Sequence, residues 1–402
     1  MVLIKTIKII NFILIFSIYL GALCQGGDTY TQVSATDVLK KIENNEGISY
    51  DHVIIIGSLD SARLNLSESE NVERIINVPI FISNSTINDN VSFYNIIFHK
   101  PVNFRNTTFR GHSDFRYSIF SNGADFRLSK FDKDANFLYS IFKGDAFFLS
   151  TIFAQDANFW ETYFENDVDF GSARFERNAI ISFATFNGYG FFNNCTFLKK
   201  IDLYETKFSK LEIRFETIKN HLNYNENIYE KLVENYKSLG WYHDSNECYF
   251  YYRDEKQRNA ELGWAKLTDI IAWLSCGYGV RPSYTIGMSL VLVMLFGLLY
   301  WLGNGINRSD ACDRGKDKVL VRNTIKEFGR SANNIGSKCR KTLMTKISLN
   351  DAFYYSAIVF ISQPHPNWHP KRKWRYLVLI EDILGWLMLA LFIATLGKVM
   401  IR

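Results

Sequence analysis

The sequence predicts a quadrilateral β-helix followed by an α-helical membrane domain, and three observations carry that prediction. Phenylalanine recurs from Phe104 through Phe109, Phe115, Phe120 and onward to Phe175 at strictly alternating gaps of five and six residues. Two long apolar runs lie in the last third of the chain, Tyr284 to Leu302 and Ile383 to Gly397, each free of charge. Between them stands a short apolar segment with a polar start, Ser348 to Phe360, too short to cross a bilayer.

The ladder dictates the first domain. Steps of five and six residues place successive rings roughly 140° and 240° round an α-helix, which gives no apolar stripe. In a strand, residues i and i−2 share a face. Two positions before each ladder residue sits a small or β-branched one, such as Ala124, Ala135 and Ala146 or Thr107, Ser118 and Ser129. An odd gap would turn the next phenylalanine outward, so keeping every ring inside demands a corner about every five residues. Four sides make a coil of about 22 residues, and at about 4.8 Å per coil the clear repeats stack into roughly five coils. The extra residue of the longer step is Gly123, Asp134, Asp145, Asp156, Asp167 or Asn178, types that favour turns and left-handed backbone. The extra residue is therefore suited to a corner. The beat continues through Ile181, Phe186, Phe192, Phe197, Leu203 and Phe208, giving about ten copies of an eleven-residue unit over residues 91–210.

This span resembles the pentapeptide-repeat proteins. The resemblance implies a right-handed quadrilateral β-helix with its phenylalanines stacked inside. Some members of that family mimic duplex DNA with an acidic exterior, but residues 91–210 carry 14 Lys or Arg against 13 Asp or Glu, so no polyanion mimic and no nucleic-acid partner are expected. The prism reads as a sensor, tether or assembly platform, with a protein partner of unknown identity on its exterior. Residues 34–90 read as an N-terminal cap and irregular first coils. Residues 211–260 read as a helical-hairpin linker broken at Gly240, whose better use is to cap the open end of the β-helix.

Residues 1–24 open with Lys5 and Lys8, continue with an uncharged run from Ile9 to Leu23 and end in small residues. They read as a secretory signal or an uncleaved anchor, and either places the β-helix outside the cytoplasm. Residues 261–303 hold an interfacial helix containing Trp264 and Trp273 and then the first span. The connection, residues 304–347, carries 11 basic residues against Asp310, Asp313, Asp317 and Glu327, which assigns it to the cytoplasmic side. Residues 348–402 hold the short helix, an extended stretch and the second span, in which Glu381 and Asp382 sit near the interface or face a wet cavity. Lipid is the implied partner, in a multi-pass cell-membrane protein. The six cysteines, Cys24, Cys195, Cys248, Cys276, Cys312 and Cys339, read neither as a disulfide framework nor as a metal cluster.

Helix, extended loop and helix in that order suit a re-entrant pore. The segment resembles the two-transmembrane potassium-channel pore domain through Asp351, Ala352, Phe353, Tyr354, Tyr355 and Ser356 in the pore helix, Ser362 opening the filter, His369 and Pro370 after it, and Glu381 with Gly385 in the inner helix. The resemblance implies filter positions at Ser362, Gln363, Pro364, His365, Pro366 and Asn367, and hinge positions at Gly385 and Gly397. It departs where the filter glycines belong: Pro364 and Pro366 fix φ near −65°, so a potassium-type carbonyl ladder cannot form unchanged. Two spans cannot enclose a pore, so conduction of a monovalent cation requires a homo-oligomer, most simply a tetramer. The alternative is a non-conducting membrane-anchored scaffold. No nucleophile constellation, phosphate loop or paired metal ligands support an enzyme, and no cofactor or metal is expected.

Overall fold

A computed structural model of the chain describes residues 30–64, 74–308, 347–363 and 368–400. The chain divides into two compact units, Met1–Tyr251 and Tyr252–Arg402.

The first unit is a β-solenoid of about eight turns. Two-residue parallel strands stack into four walls. One wall is eight strands deep, running from Thr31–Ser34 to Thr196–Phe197; a second holds seven strands, and a third sheet supplies the remaining two walls, which join through the longer strand Thr185–Phe191. The register advances by one 22-residue coil, so Phe109 pairs with Phe131, Phe131 with Phe153 and Phe153 with Phe175. Below residue 91 the same walls continue with Ile48, Ile55, Leu59, Ile80 and Ile87 at the inward positions, all essentially without exposure.

Inside, the rings form face-to-face columns. Phe126, Phe148 and Phe170 follow one another at 5.2 and 4.9 Å between centroids, and Phe137 and Phe159 lie 5.0 Å apart. Rings of neighbouring columns meet edge to face, as Phe148 does with Phe137 and Phe159. Such contacts contribute about 0.5–1.5 kcal/mol per pair beyond area burial. The small inward residues have a second use. Thr107, Ser129, Thr151, Thr162 and Thr206 are fully buried, and each donates its hydroxyl to a carbonyl of the preceding coil, for example Thr151 to Phe126 at 2.8 Å and Thr162 to Phe137 at 2.8 Å. A buried hydroxyl without a partner would be costly, and here each one ties two coils together.

Left-handed backbone is not spread evenly over the corners. Left-handed backbone falls in the five-residue steps, two positions after the ladder residue, at Asn106, Tyr117, Leu128, Tyr139, Ser150, Glu161 and Ser172, with φ between 53° and 62°. Among the extra residues of the six-residue step only Gly123, at φ 80°, is left-handed. A step one residue shorter has to turn more tightly, whereas the longer step turns at negative φ. The extra acidic residues instead accept backbone N–H groups one coil on: Asp156 from Asn178 at 3.0 Å and Asp167 from Tyr189 at 2.8 Å.

Both ends of the solenoid are closed. Helix α1 (Ala35–Glu43), capped by Ser34 Oγ accepting from Thr36 N, buries Ala35, Val38, Leu39 and Ile42 against the first strands. At the other end come a helical turn (Phe215–Ile218), α2 (Glu226–Ser238) and α3 (Tyr242–Asn259), with Gly240 at φ 73° between the last two. Asn235 of α2 stands in for a further coil, its amide accepting from Leu211 N at 3.0 Å and donating to Leu211 O at 2.8 Å.

The second unit holds α4 (Trp264–Cys276), α5 (Pro282–Leu302), α6 (Leu349–Phe360) and α7 (Arg375–Met400). Proline opens α5, where its missing N–H costs nothing. α5 and α7 are long and apolar enough to span a membrane, with mean hydropathy of 2.1 and 2.2 in their most apolar windows. Large apolar side chains stay exposed on both, among them Leu290, Met294 and Leu298 on α5 and Ile383, Leu387 and Ile393 on α7. On α4, Trp264, Leu267, Ile271 and Leu274 form one exposed apolar stripe at helical spacing.

Candidate functional site

Packing of the short helix α6 builds the site. Its N-cap is Ser348, whose Oγ accepts from Asp351 N at 3.1 Å. From there α6 runs back alongside α5: Tyr355 meets the Tyr300 ring edge to face at 5.4 Å, Phe353 lies against Gly297, and Ser356 reaches Val293 O at 2.9 Å. Its far end lies on α7. A Cβ added to Gly385 would fall 1.9 Å from Phe360 O, so only glycine admits this approach. After α6, residues 361–363 are followed at Trp368–Pro370 by a strand that pairs antiparallel with Ile306–Arg308, directly beyond α5. Lys371 N donates to Gly305 O at 2.9 Å and extends that pairing.

At the centre of the three helices is Glu381, fully buried. Tyr300 of α5 donates its hydroxyl to Glu381 Oε2 at 2.6 Å, and Ser356 of α6 donates to Oε1. One carboxyl group thus receives a donor from each of the other two helices. The expectation set Glu381 and Asp382 together near an interface or a wet cavity. The structure separates them: Glu381 is enclosed in protein, while Asp382 accepts from Ser362 Oγ just beyond the end of α6. Removing either hydroxyl would leave a buried carboxyl group short of a donor.

Beside this cluster a groove of about 440 Å³ lies between α5 and α7 and is closed by the end of α6. Thr285, Ser289, Phe360, Ser362, Gly385 and Phe392 are among its lining residues, which are mostly apolar. The expected filter residues are only partly placed. Ser362, in left-handed backbone at φ 56°, and Gln363 lie just after α6; Pro364, His365, Pro366 and Asn367 fall outside the described residues. Gly397 lies one turn from the end of α7. Among the described residues no group of three or more His, Cys, Asp or Glu side chains could hold a metal ion.

Sequence reasoning did not join Tyr300 and Ser356 to Glu381. The available signal was an acidic residue within an apolar run together with hydroxyls on the two neighbouring apolar segments, since a carboxyl group at such depth requires donors.

No curated protein and no solved structure matches the chain. The family model for pentapeptide repeats (9 copies) matches residues 82–129 and 115–163, so the solenoid of this chain is built on pentapeptide repeats.

Proposed function

We propose that α5 and α7 cross the membrane, that α6 is a re-entrant helix between them, and that four copies assemble into a channel-like protein for monovalent cations with altered or absent potassium selectivity. The solenoid is then its extracytoplasmic sensor, tether or assembly platform. The depth of α6 carries this proposal. Phe360 lies on Gly385, ten residues into α7 and so about 15 Å along it, half of a hydrocarbon core of about 30 Å. A 12-residue helix that stops there and a following strand that returns to the start of α7 enter and leave on one side. Non-helical backbone at such depth is tolerated where it is buried in protein or lines a water-filled cavity.

The Glu381 cluster serves this arrangement by holding the short helix to both spans. Labelling of single cysteines placed at Ser348 and at Lys371, in cells, tests the re-entrant path. Both positions react from the same side if α6 returns, and reaction from opposite sides overturns it.

Pro364 and Pro366 favour a second reading, in which the pore arrangement survives only as an oligomerising membrane anchor. Replacing both prolines by glycine separates the two: a gain of potassium current identifies the prolines as the block in a pore, and silence in verified tetramers supports the anchor.

A further inference from the structure

The cluster round Glu381 has more oxygen contacts than hydrogens unless the carboxyl group supplies one itself. Ser356 Oγ carries a single hydrogen and has two oxygen partners, Glu381 Oε1 and Val293 O, the latter at 2.9 Å. Tyr300 spends its own hydrogen on Glu381 Oε2 at 2.6 Å. With Glu381 ionised, Ser356 donates to Oε1, and its lone pairs then face Val293 O with no hydrogen between them. A proton on Glu381 closes the count. Tyr300 donates to Oε2, Oε1 donates to Ser356 Oγ, and Ser356 donates to Val293 O. Three hydrogens then serve three acceptors in one chain, from the Tyr300 side chain on α5 through α7 and α6 to the backbone of α5.

The surroundings agree with that count. Glu381, Ser356 and Tyr300 are all without exposure, so no water makes up the missing hydrogen. The titratable groups that face Glu381 are Tyr300 from α5, Tyr355 from α6 and Asp382, its neighbour on α7. None of them is a cation, and Asp382 brings a second negative charge. A carboxyl group taken out of water without a cation costs far less as the acid than as the carboxylate.

We infer that Glu381 is a proton-binding site and that its proton latches α6 onto α5. This rests on reading α5, α6 and α7 as one membrane-embedded assembly, and it holds whether that assembly conducts or only anchors. Loss of the proton breaks the O–H bond at Oε1 and passes the proton to water, with no other reactant. The Ser356 hydroxyl then turns from Val293 O to the carboxylate. α6 gives up this hydrogen bond to the α5 backbone, and an unpaired charge is left among three helices.

Water that solvates this charge has to part α6 from the two long helices. The end of α6 carries Phe360, which rests on Gly385 and closes the groove between α5 and α7, so movement at Ser356 is felt there. Packing of Phe353 on Gly297 and of Tyr355 on Tyr300 remains, and the helix loosens without leaving. Glutamine at position 381 reproduces the protonated arrangement permanently. Its amide N–H donates to Ser356 Oγ, its carbonyl accepts from Tyr300, and it has no proton to lose.

The test compares the full chain and Glu381→Gln in lipid bilayers at about pH 5 and about pH 9, either side of neutrality. Infrared difference spectra, wild type minus Glu381→Gln, should contain the C=O stretch of a protonated carboxyl group at the lower pH and lose it at the higher. Hydrogen exchange of the α6 amides, corrected for the chemical rate at each pH, should rise about tenfold or more between the two in the wild type. It should stay level in Glu381→Gln. If Glu381→Gln does not assemble, Ser356→Ala decides: loss of the acceptor should move the carboxyl band to higher frequency, and an unmoved band overturns the inference. No protonated-carboxyl band at the lower pH, a band that persists at the higher, or equal exchange responses in wild type and Glu381→Gln also overturn it. None of these readouts needs a current, so a silent channel and a failed latch are told apart.

Discussion

Truncating one ring at the centre of the solenoid gives the sharpest test of how the first unit is held. Phe148 has no exposure, stacks on Phe126 and Phe170 at 5.2 and 4.9 Å, and meets Phe137 and Phe159 edge to face. Phe148→Ala removes the transfer free energy of a fully buried ring and leaves a cavity that four neighbouring rings cannot fill without leaving their own columns. Phenylalanine truncations of this kind cost about 3–5 kcal/mol. The cost falls on contiguous coils, because each coil touches only its neighbours. Hydrogen exchange of the full chain in detergent reads it locally. At about 1.4 kcal/mol per factor of ten, amides of residues 126–170 should exchange about two to three and a half orders of magnitude faster, while α5 and α7 stay unchanged. Leu149→Ala, one residue along and 37% exposed, is the control and should shift exchange by less than about threefold. An effect of Phe148→Ala no larger than that of the control would refute the stacked-column account.

Three other substitutions or titrations follow from the geometry. Thr151→Val keeps the shape but removes the 2.8 Å bond to Phe126 O, and should cost about 1 kcal/mol by the same exchange measurement; a neutral result means the inward hydroxyls do not tie coils. Burial pushes the Cys195 thiol up to about 12 from an ordinary value near 9, so the folded state holds its proton more tightly than the unfolded chain. Stability from this group is complete below pH 9 and is lost as pH rises from about 9 to 12; maleimide should modify Cys195 only after denaturation, and rapid labelling of the folded chain contradicts its burial. Gly385→Ala separates close contact from simple flexibility by sign. An unconstrained helical glycine gains about 1 kcal/mol on becoming alanine, whereas a Cβ meeting the Phe360 carbonyl costs about 1–3 kcal/mol. A lower melting temperature is expected, and a higher one would show that α6 does not rest on α7 there.

Most of the first unit was legible because its signal is periodic. A ring every five or six residues can stay inside only in a four-cornered coil, and the small residues two positions earlier fall inward with it. Residue type alone does not place the left-handed backbone. Step length decides instead, and stacking between coils holds residues such as Tyr117 and Phe183 in a conformation their own preferences oppose. The outward rings Tyr94, Tyr117, Tyr139, Trp160, Phe183 and Tyr204, which pack on one another from coil to coil, have no fixed period in the sequence because they alternate between two adjacent positions, at spacings of 21 to 23 residues. In the second unit the apolar runs announced two helices, and Gly385 entered only as a hinge position that the resemblance to a channel pore domain implies. The triad of Tyr300, Ser356 and Glu381 joins residues 25 to 81 positions apart, and no local pattern links them. Only the packing of α6 against both long helices brings them together.

The most direct test of the central claim is electrical: purified full-length protein, with tetramers verified by cross-linking, reconstituted in a planar bilayer with monovalent salt on both sides. Discrete cation currents that disappear when α6 is released by Tyr300→Phe/Ser356→Ala are the expected result. The absence of current from verified tetramers under every voltage and pH tried would contradict the claim and leave α5, α6 and α7 as an anchor for the solenoid.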